Sequence, residues 1–157
     1  MPKHANRMKI AVGTDHAGFT LKATVIEAIT SAGHEAVDCG AFEVEPADDY
    51  PDFAERVANA VSRGEAERGI LLCGSGVGAS VAANKFFGIR SAMCHDTFSA
   101  RQGVEDDAMN VLTLGARIIG PALATELVNA FLRAEFSGLE RHRRRLEKVR
   151  GFDSRLR

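Results

Sequence analysis

The chain has 157 residues, with 20 Lys+Arg against 21 Asp+Glu, a formal net charge of -1, 45% hydrophobic and 26% charged residues. That is the composition of one folded domain; a disordered chain would carry less apolar content or more net charge. No apolar run approaches the roughly 18 residues of a membrane span, and the near-neutral total gives no reason to expect nucleic acid as a partner.

The N-terminal MPKHANRMKI has no apolar h-region, so no secretory signal is expected. Three widely spaced cysteines, Cys39, Cys73 and Cys94, suit reduced thiols in a cytoplasmic protein better than a disulfide framework. The average charge hides an asymmetry. From Ser137 to Arg157 seven Arg and one Lys face three acids, a local +5 that leaves -6 on the rest. A basic end of this kind is either a solvated helix or an anion-binding element.

In chain order the pattern alternates short apolar runs with helical ones. Met8–Gly13 reads as a strand, Gly18–Ala32 as a helix and Glu35–Cys39 as a second strand. An acidic loop, Glu43–Asp52, leads to a helical stretch at Phe53–Ser62. Gly69–Cys73 is an apolar strand that runs into the Gly-rich turn Gly74–Gly78, with a helix opening over Ala79–Lys85. Ile89–Cys94 and Val111–Leu114 read as strands on either side of a short helix at Thr97–Val104. Pro121–Ala134 is amphipathic with Pro in its first turn, and Arg141–Val149 is a basic helix. Strands alternating with helices predict a Rossmann-like three-layer α/β/α sandwich with a mainly parallel sheet and an extended basic C-terminal helix. One domain is expected over residues 8–150, with residues 1–7 and 151–157 as loosely held termini.

Ligands of such sheets sit beyond the carboxyl ends of the strands. Four strand ends carry chemistry: Thr14-Asp15-His16, Cys73-Gly74-Ser75-Gly76, Cys94-His95-Asp96 and Gly115-Ala116-Arg117. In CGSGVGAS the glycines permit a tight turn with N–H groups directed at an anion. Gly74, Gly76 and Ala79 formally match a dinucleotide fingerprint, but not in the first βα unit, and no Gly-Lys-Ser/Thr follows for a P-loop. Cys73, at a strand end before a helix start, is a candidate nucleophile or base, whereas Cys39 and Cys94 read as core packing. Asp15 caps the next helix or joins His16 in a site. His95-Asp96 is a second such pair. No cluster has convincing metal-ligand spacing, so no metal is expected.

These residues make the chain resemble the ribose-5-phosphate isomerase B family, which is related to the subunits of galactose-6-phosphate isomerase. The blocks that carry the likeness are GTDHAGFTLK (13–22), DYPDFA (49–54), GILLCGSGVGASVAANKFFGIR (69–90), MNVLTLGARIIG (109–120) and RHRRRLEKV (141–149). The resemblance implies an aldose–ketose isomerase that interconverts D-ribose 5-phosphate and D-ribulose 5-phosphate through an enediol, with no metal and no nucleotide cofactor. It implies homodimers or homotetramers with active sites between subunits. It makes Cys73 the base, since the alternative family base, a Glu, falls at Ala79. It maps phosphate contacts onto His16, Arg117, Arg141 and Arg145, with His142 beside them. It places Asp15 and Asn110 at the sugar, and Ser75, Gly74, Gly76 and Gly78 on the loop.

The chemistry suits these residue types. A base takes the C2 proton and returns it at C1. Backbone N–H groups of the loop steady the enediolate oxygen, each donor of this type contributing about 3 kcal/mol, and a phosphate anchored by Arg orients the sugar. One departure stands out. The family's ring-opening His position holds Asp106. Three readings follow: Asp106 opens the ring, His95 replaces the His, or the substrate is another aldose phosphate such as allose or galactose 6-phosphate or a tetrose phosphate. A non-catalytic phosphosugar-binding protein is the alternative of another class.

Overall fold

The computed structural model describes residues 6–155. The chain forms five strands, β1 (Lys9–Thr14), β2 (Glu35–Asp38), β3 (Arg68–Cys73), β4 (Ser91–Met93) and β5 (Val111–Gly115). Between and after them lie α1 (Lys22–Ser31), α2 (Tyr50–Ser62), α3 (Val77–Ala83), α4 (Thr97–Asp107), α5 (Pro121–Arg133) and α6 (Glu140–Arg155). The strands pair in the order β2-β1-β3-β5-β4, parallel throughout. The expected three-layer sandwich is therefore present.

Alternation along the strands explains the two faces. Ile10, Val12, Ile70, Leu72, Leu112 and Leu114 point to one side, where α1, α4 and α5 cover them around the fully buried Phe131. Ala11, Leu71, Cys73 and Val111 point to the other side, under α2 and α3. With both faces covered, β3 carries no polar residue from Gly69 to Cys73, as parallel strands require.

The element bounds shift for physical reasons. Helix α2 starts at Tyr50, three residues before its apolar pattern begins, because Pro51 sits in its first turn, where no N–H is needed. Helix α4 runs past Val104 to Asp107, its polar end held by Arg101–Glu105 and Gln102–Asp106 pairs at i,i+4. Edge strand β4 is only three residues. Helix α6 continues past Val149 to Arg155, and Asp153 Oδ2 accepts from Gly88 N at 3.3 Å. That contact ties down part of the 151–157 stretch expected to be loose; residues 1–5 and 156–157 lie outside the described residues.

Strand order reverses between β1 and β3: the chain steps outward to β2 on one side, and to β5 and β4 on the other. This switch point opens a crevice at the carboxyl ends of β1 and β3, where the connections diverge to opposite faces.

Candidate active site

A pocket of about 380 Å³ occupies that crevice, lined by Asp15, His16, Ala17, Tyr50, Cys73, Gly74, Ser75, Gly78, Arg117 and Ile118. Residues from three strand ends thus meet in one place. Cys73 is 4% exposed, and its Sγ accepts from the Gly76 backbone N–H at 3.1 Å. The turn that brings this N–H round requires Gly76 at φ 83, where a Cβ would lie 3.0 Å from the Leu114 backbone. Val77 N donates to Ser75 Oγ at 3.2 Å. Two of the loop's N–H groups are therefore already engaged, which narrows the donors free to meet an enediolate oxygen.

The end of β5 locks onto this loop. Ala116 N donates to Cys73 O at 2.9 Å and Arg117 N to Gly74 O at 3.0 Å. Gly115 comes so near that a Cβ on it would stand 2.5 Å from the Ser75 backbone. The Arg117 side chain then lies over Gly74.

Asp15 does both things weighed for it: its Oδ1 caps the turn into α1 by accepting from Gly18 N at 3.0 Å, and the residue lines the pocket. His16 Nδ1 lies 2.6 Å from Asp48 Oδ1. Asp15, His16 and Asp48 bring ligand-type atoms within 4.8 Å of one another, but the direct Nδ1–Oδ1 contact makes the last two a donor–acceptor pair.

Sequence reasoning missed Asp48 and Tyr50. The Tyr50 ring packs over Gly78, where a Cβ would come within 2.7 Å of it. Its signal was present in the DYP block at the start of α2; Asp48 sits in an acidic loop whose path no periodicity predicts.

The remaining candidates lie apart from this pocket. His95 follows β4, and its Nε2 accepts from Gly115 N at 3.0 Å; burial pulls its pKa down. It therefore supports the loop from behind. Asn110 precedes β5, and its amide bridges Arg90 N (2.8 Å) and Gly88 O (2.9 Å). In the last turn of α4, Asp106 accepts from Gln102 Nε2 at 2.7 Å and faces His142 Nε2 at 3.5 Å. His142, mapped beside the phosphate, is 4% exposed and also bonded to Ser137 Oγ at 2.6 Å, so its ring docks α6. Arg141 and Arg145 flank it, exposed. Asp106, in contact with His142 at the start of α6, and Asn110 thus both lie at the amino edge of the sheet. The five-residue β5 separates that edge from the pocket by roughly 16 Å.

A larger groove of about 950 Å³ runs between α1 and α5. Its polar groups serve the fold: Arg68 donates to Phe131 O and Ala134 O, and His34 Nδ1 accepts from Met8 N. The smaller pocket holds the reactive groups.

Fold and site together define an α/β protein with a buried thiol, an imidazole and a guanidinium in one pocket, Cys73, His16 and Arg117, at the switch point of a parallel sheet. The chain belongs to the Ribose/Galactose Isomerase family, which it matches over residues 10–149. It is 43% identical to a ribose-5-phosphate isomerase B of Escherichia coli, covering 94% of this chain and 97% of that one. It is 42% identical to a D-erythrulose-4-phosphate isomerase of Pectobacterium atrosepticum, covering 83% and 86%. The structure of a Trypanosoma brucei type B ribose 5-phosphate isomerase superposes with a TM-score of 0.90 at 43% identity, covering 93% of this chain and 99% of that one.

Proposed function

We propose that this chain interconverts D-ribose 5-phosphate and D-ribulose 5-phosphate, with Cys73 as the base. The observation that carries the reading is the meeting of Cys73 with His16 and Arg117 in one pocket. In the aldose-to-ketose direction the Cys73 thiolate takes the C2 proton, and that electron pair forms the C1–C2 double bond as O1 gains a proton. The enediol then loses the O2 proton, its electrons re-form the carbonyl at C2, and C1 takes the proton back from the thiol. His16 and Arg117 hold the phosphate, so binding energy remote from C1 and C2 positions them.

The site is completed by a second copy of the chain. Arg141, Arg145 and Asp106 lie at the opposite sheet edge from Cys73, and the length of β5 between the two edges supports a site shared between copies. In a homodimer the amino-edge residues of one copy face the pocket of the other, and Asp106 meets the sugar ring.

A second reading has its own support. Both Asp106 oxygens already face a partner, Gln102 and His142, and a relative is named for a four-carbon substrate. A tetrose 4-phosphate has no free hydroxyl with which to close a furanose, so it needs no ring opener.

The deciding experiment assays a panel of aldose phosphates of four, five and six carbons with wild type and Cys73→Ala. Turnover of ribose 5-phosphate by wild type, with a loss of about 10²–10⁴-fold in the variant, supports the first reading. Preference for the tetrose phosphate supports the second. An active Cys73→Ala protein removes Cys73 as the base.

A further inference from the structure

His16 is the imidazole of the pocket, and the residue that holds it is used by nothing above. Asp48 Oδ1 accepts from the His16 backbone N–H at 3.0 Å and sits 2.6 Å from Nδ1. A carboxylate oxygen carries no proton, so Nδ1 donates to it. His16 lines the pocket and Asp48 does not. Asp48 therefore stands behind the ring, and the Nε2 edge is left for whatever enters. The Asp48 side chain is 11% exposed against 32% for His16, and its Oδ2 is buried with no hydrogen-bond partner among the described residues.

A half-satisfied buried carboxylate is a poor way to fasten a loop. An asparagine would accept the same N–H bonds without burying a charge. The carboxylate charge strengthens the two N–H bonds that fix the ring. Arg117 stands in the same pocket, so a dianionic phosphoryl group entering there meets a guanidinium and an imidazole edge at once.

We propose that Asp48 is a positioning residue for the phosphoryl group: it holds His16 by the backbone N–H and by Nδ1, so that the Nε2 edge of the ring faces a phosphoryl oxygen beside Arg117. The proposal rests on the reading of this pocket as a phosphosugar site. Asp48 itself touches no substrate and acts through His16.

The test compares wild type, Asp48→Asn, Asp48→Ala, His16→Ala and the double variant, with two readouts. One is KM and kcat on ribose 5-phosphate. The other is calorimetric titration with inorganic phosphate, which needs no turnover. Loss of one charge-assisted contact predicts that Asp48→Ala raises KM and weakens phosphate binding about tenfold, with kcat changed less. Asp48→Asn, which keeps the acceptor and drops the charge, falls between. The double variant binds phosphate no more weakly than His16→Ala alone, because Asp48 has nothing left to act through. Additive losses in the double variant, unchanged phosphate binding in Asp48→Ala, or an effect confined to kcat would overturn the proposal. If Asp48→Ala does not fold, the near-isosteric Asp48→Asn decides: unchanged phosphate binding overturns it. If wild type leaves ribose 5-phosphate unconverted, the reading of the substrate falls, while the phosphate titrations still judge Asp48. Wild type that binds no phosphate removes both.

Discussion

The two edges of the sheet are built in opposite ways. At the carboxyl edge, glycines bring backbone against backbone, and the side chains that line the pocket, Cys73, His16 and Arg117, converge on shared space. At the amino edge, polar side chains bind one another: Ser137, His142, Asp106 and Gln102 form a chain of contacts that pins α6 to α4. The first arrangement leaves reactive atoms facing a cavity. The second engages them with one another, while Arg141 and Arg145 stay exposed. Polar side chains line a shared cavity at one edge and bond to one another at the other, and residue type alone does not separate the two.

The sharpest way to break that contrast is at Gly115. A Cβ there would press on the Ser75 backbone at 2.5 Å, so Gly115→Ala displaces the loop that carries Cys73. Misplacement by about an ångström costs on the order of 10²-fold in kcat/KM. Steady-state kinetics beside a melting curve checks this; near-normal activity would show that the loop tolerates the shift.

Next in size is a complementation test of the split site. Cys73→Ala and Arg141→Ala proteins, each impaired alone, are mixed, unfolded and refolded together. If each site takes its parts from two copies of a symmetric dimer, random pairing restores about a quarter of wild-type activity. No recovery would mean that Arg141 serves the same chain's Cys73 or none.

His142→Ala probes the amino edge. It empties a buried contact and takes one partner each from Asp106 Oδ1 and Ser137 Oγ, a loss of about 1–3 kcal/mol in stability. Denaturant unfolding measures it, with m unchanged. Asp106→Asn keeps a hydrogen-bonding group and is expected to cost less. A selective loss of activity on ring-closed sugars in that variant would assign Asp106 to ring opening.

The smallest effect is on acid stability. His95 is held neutral by burial, and His34 by burial and then by the charge of Arg68. Both pKa values lie below the ordinary imidazole value, so between folded and unfolded values the unfolded chain binds more protons. Stability from this source is complete above about pH 6.5 and is lost as pH falls below it toward the folded values. Melting temperatures from pH 7.5 to 5 test the sign, and His95→Gln should flatten the slope; a rise on acidification would contradict it.

Much of this was legible in the residues. All five strands lie within about two residues of their expected ends, because parallel strands covered on both faces must be apolar runs. The pocket members Asp15, His16, Cys73, Ser75 and Arg117 were findable because each closes or follows a strand. Asp48 was not, since its contact with His16 spans 32 residues and depends on how an acidic loop folds back. Tyr50 was hidden by the helix pattern that begins three residues later. The fates of His142 and Asn110 depend on partners distant in sequence, Asp106 and Gly88.

The sequence by itself determined the layered fold and the family, because hydrophobic period and glycine placement act locally along the chain. Only the tertiary structure decided how the polar residues divide. Whether a His or an Asp faces a cavity or another side chain is a matter of who stands within 3 Å of it. That depends on the closing of loops and the docking of α6, where few residues set the geometry and no periodicity reports it.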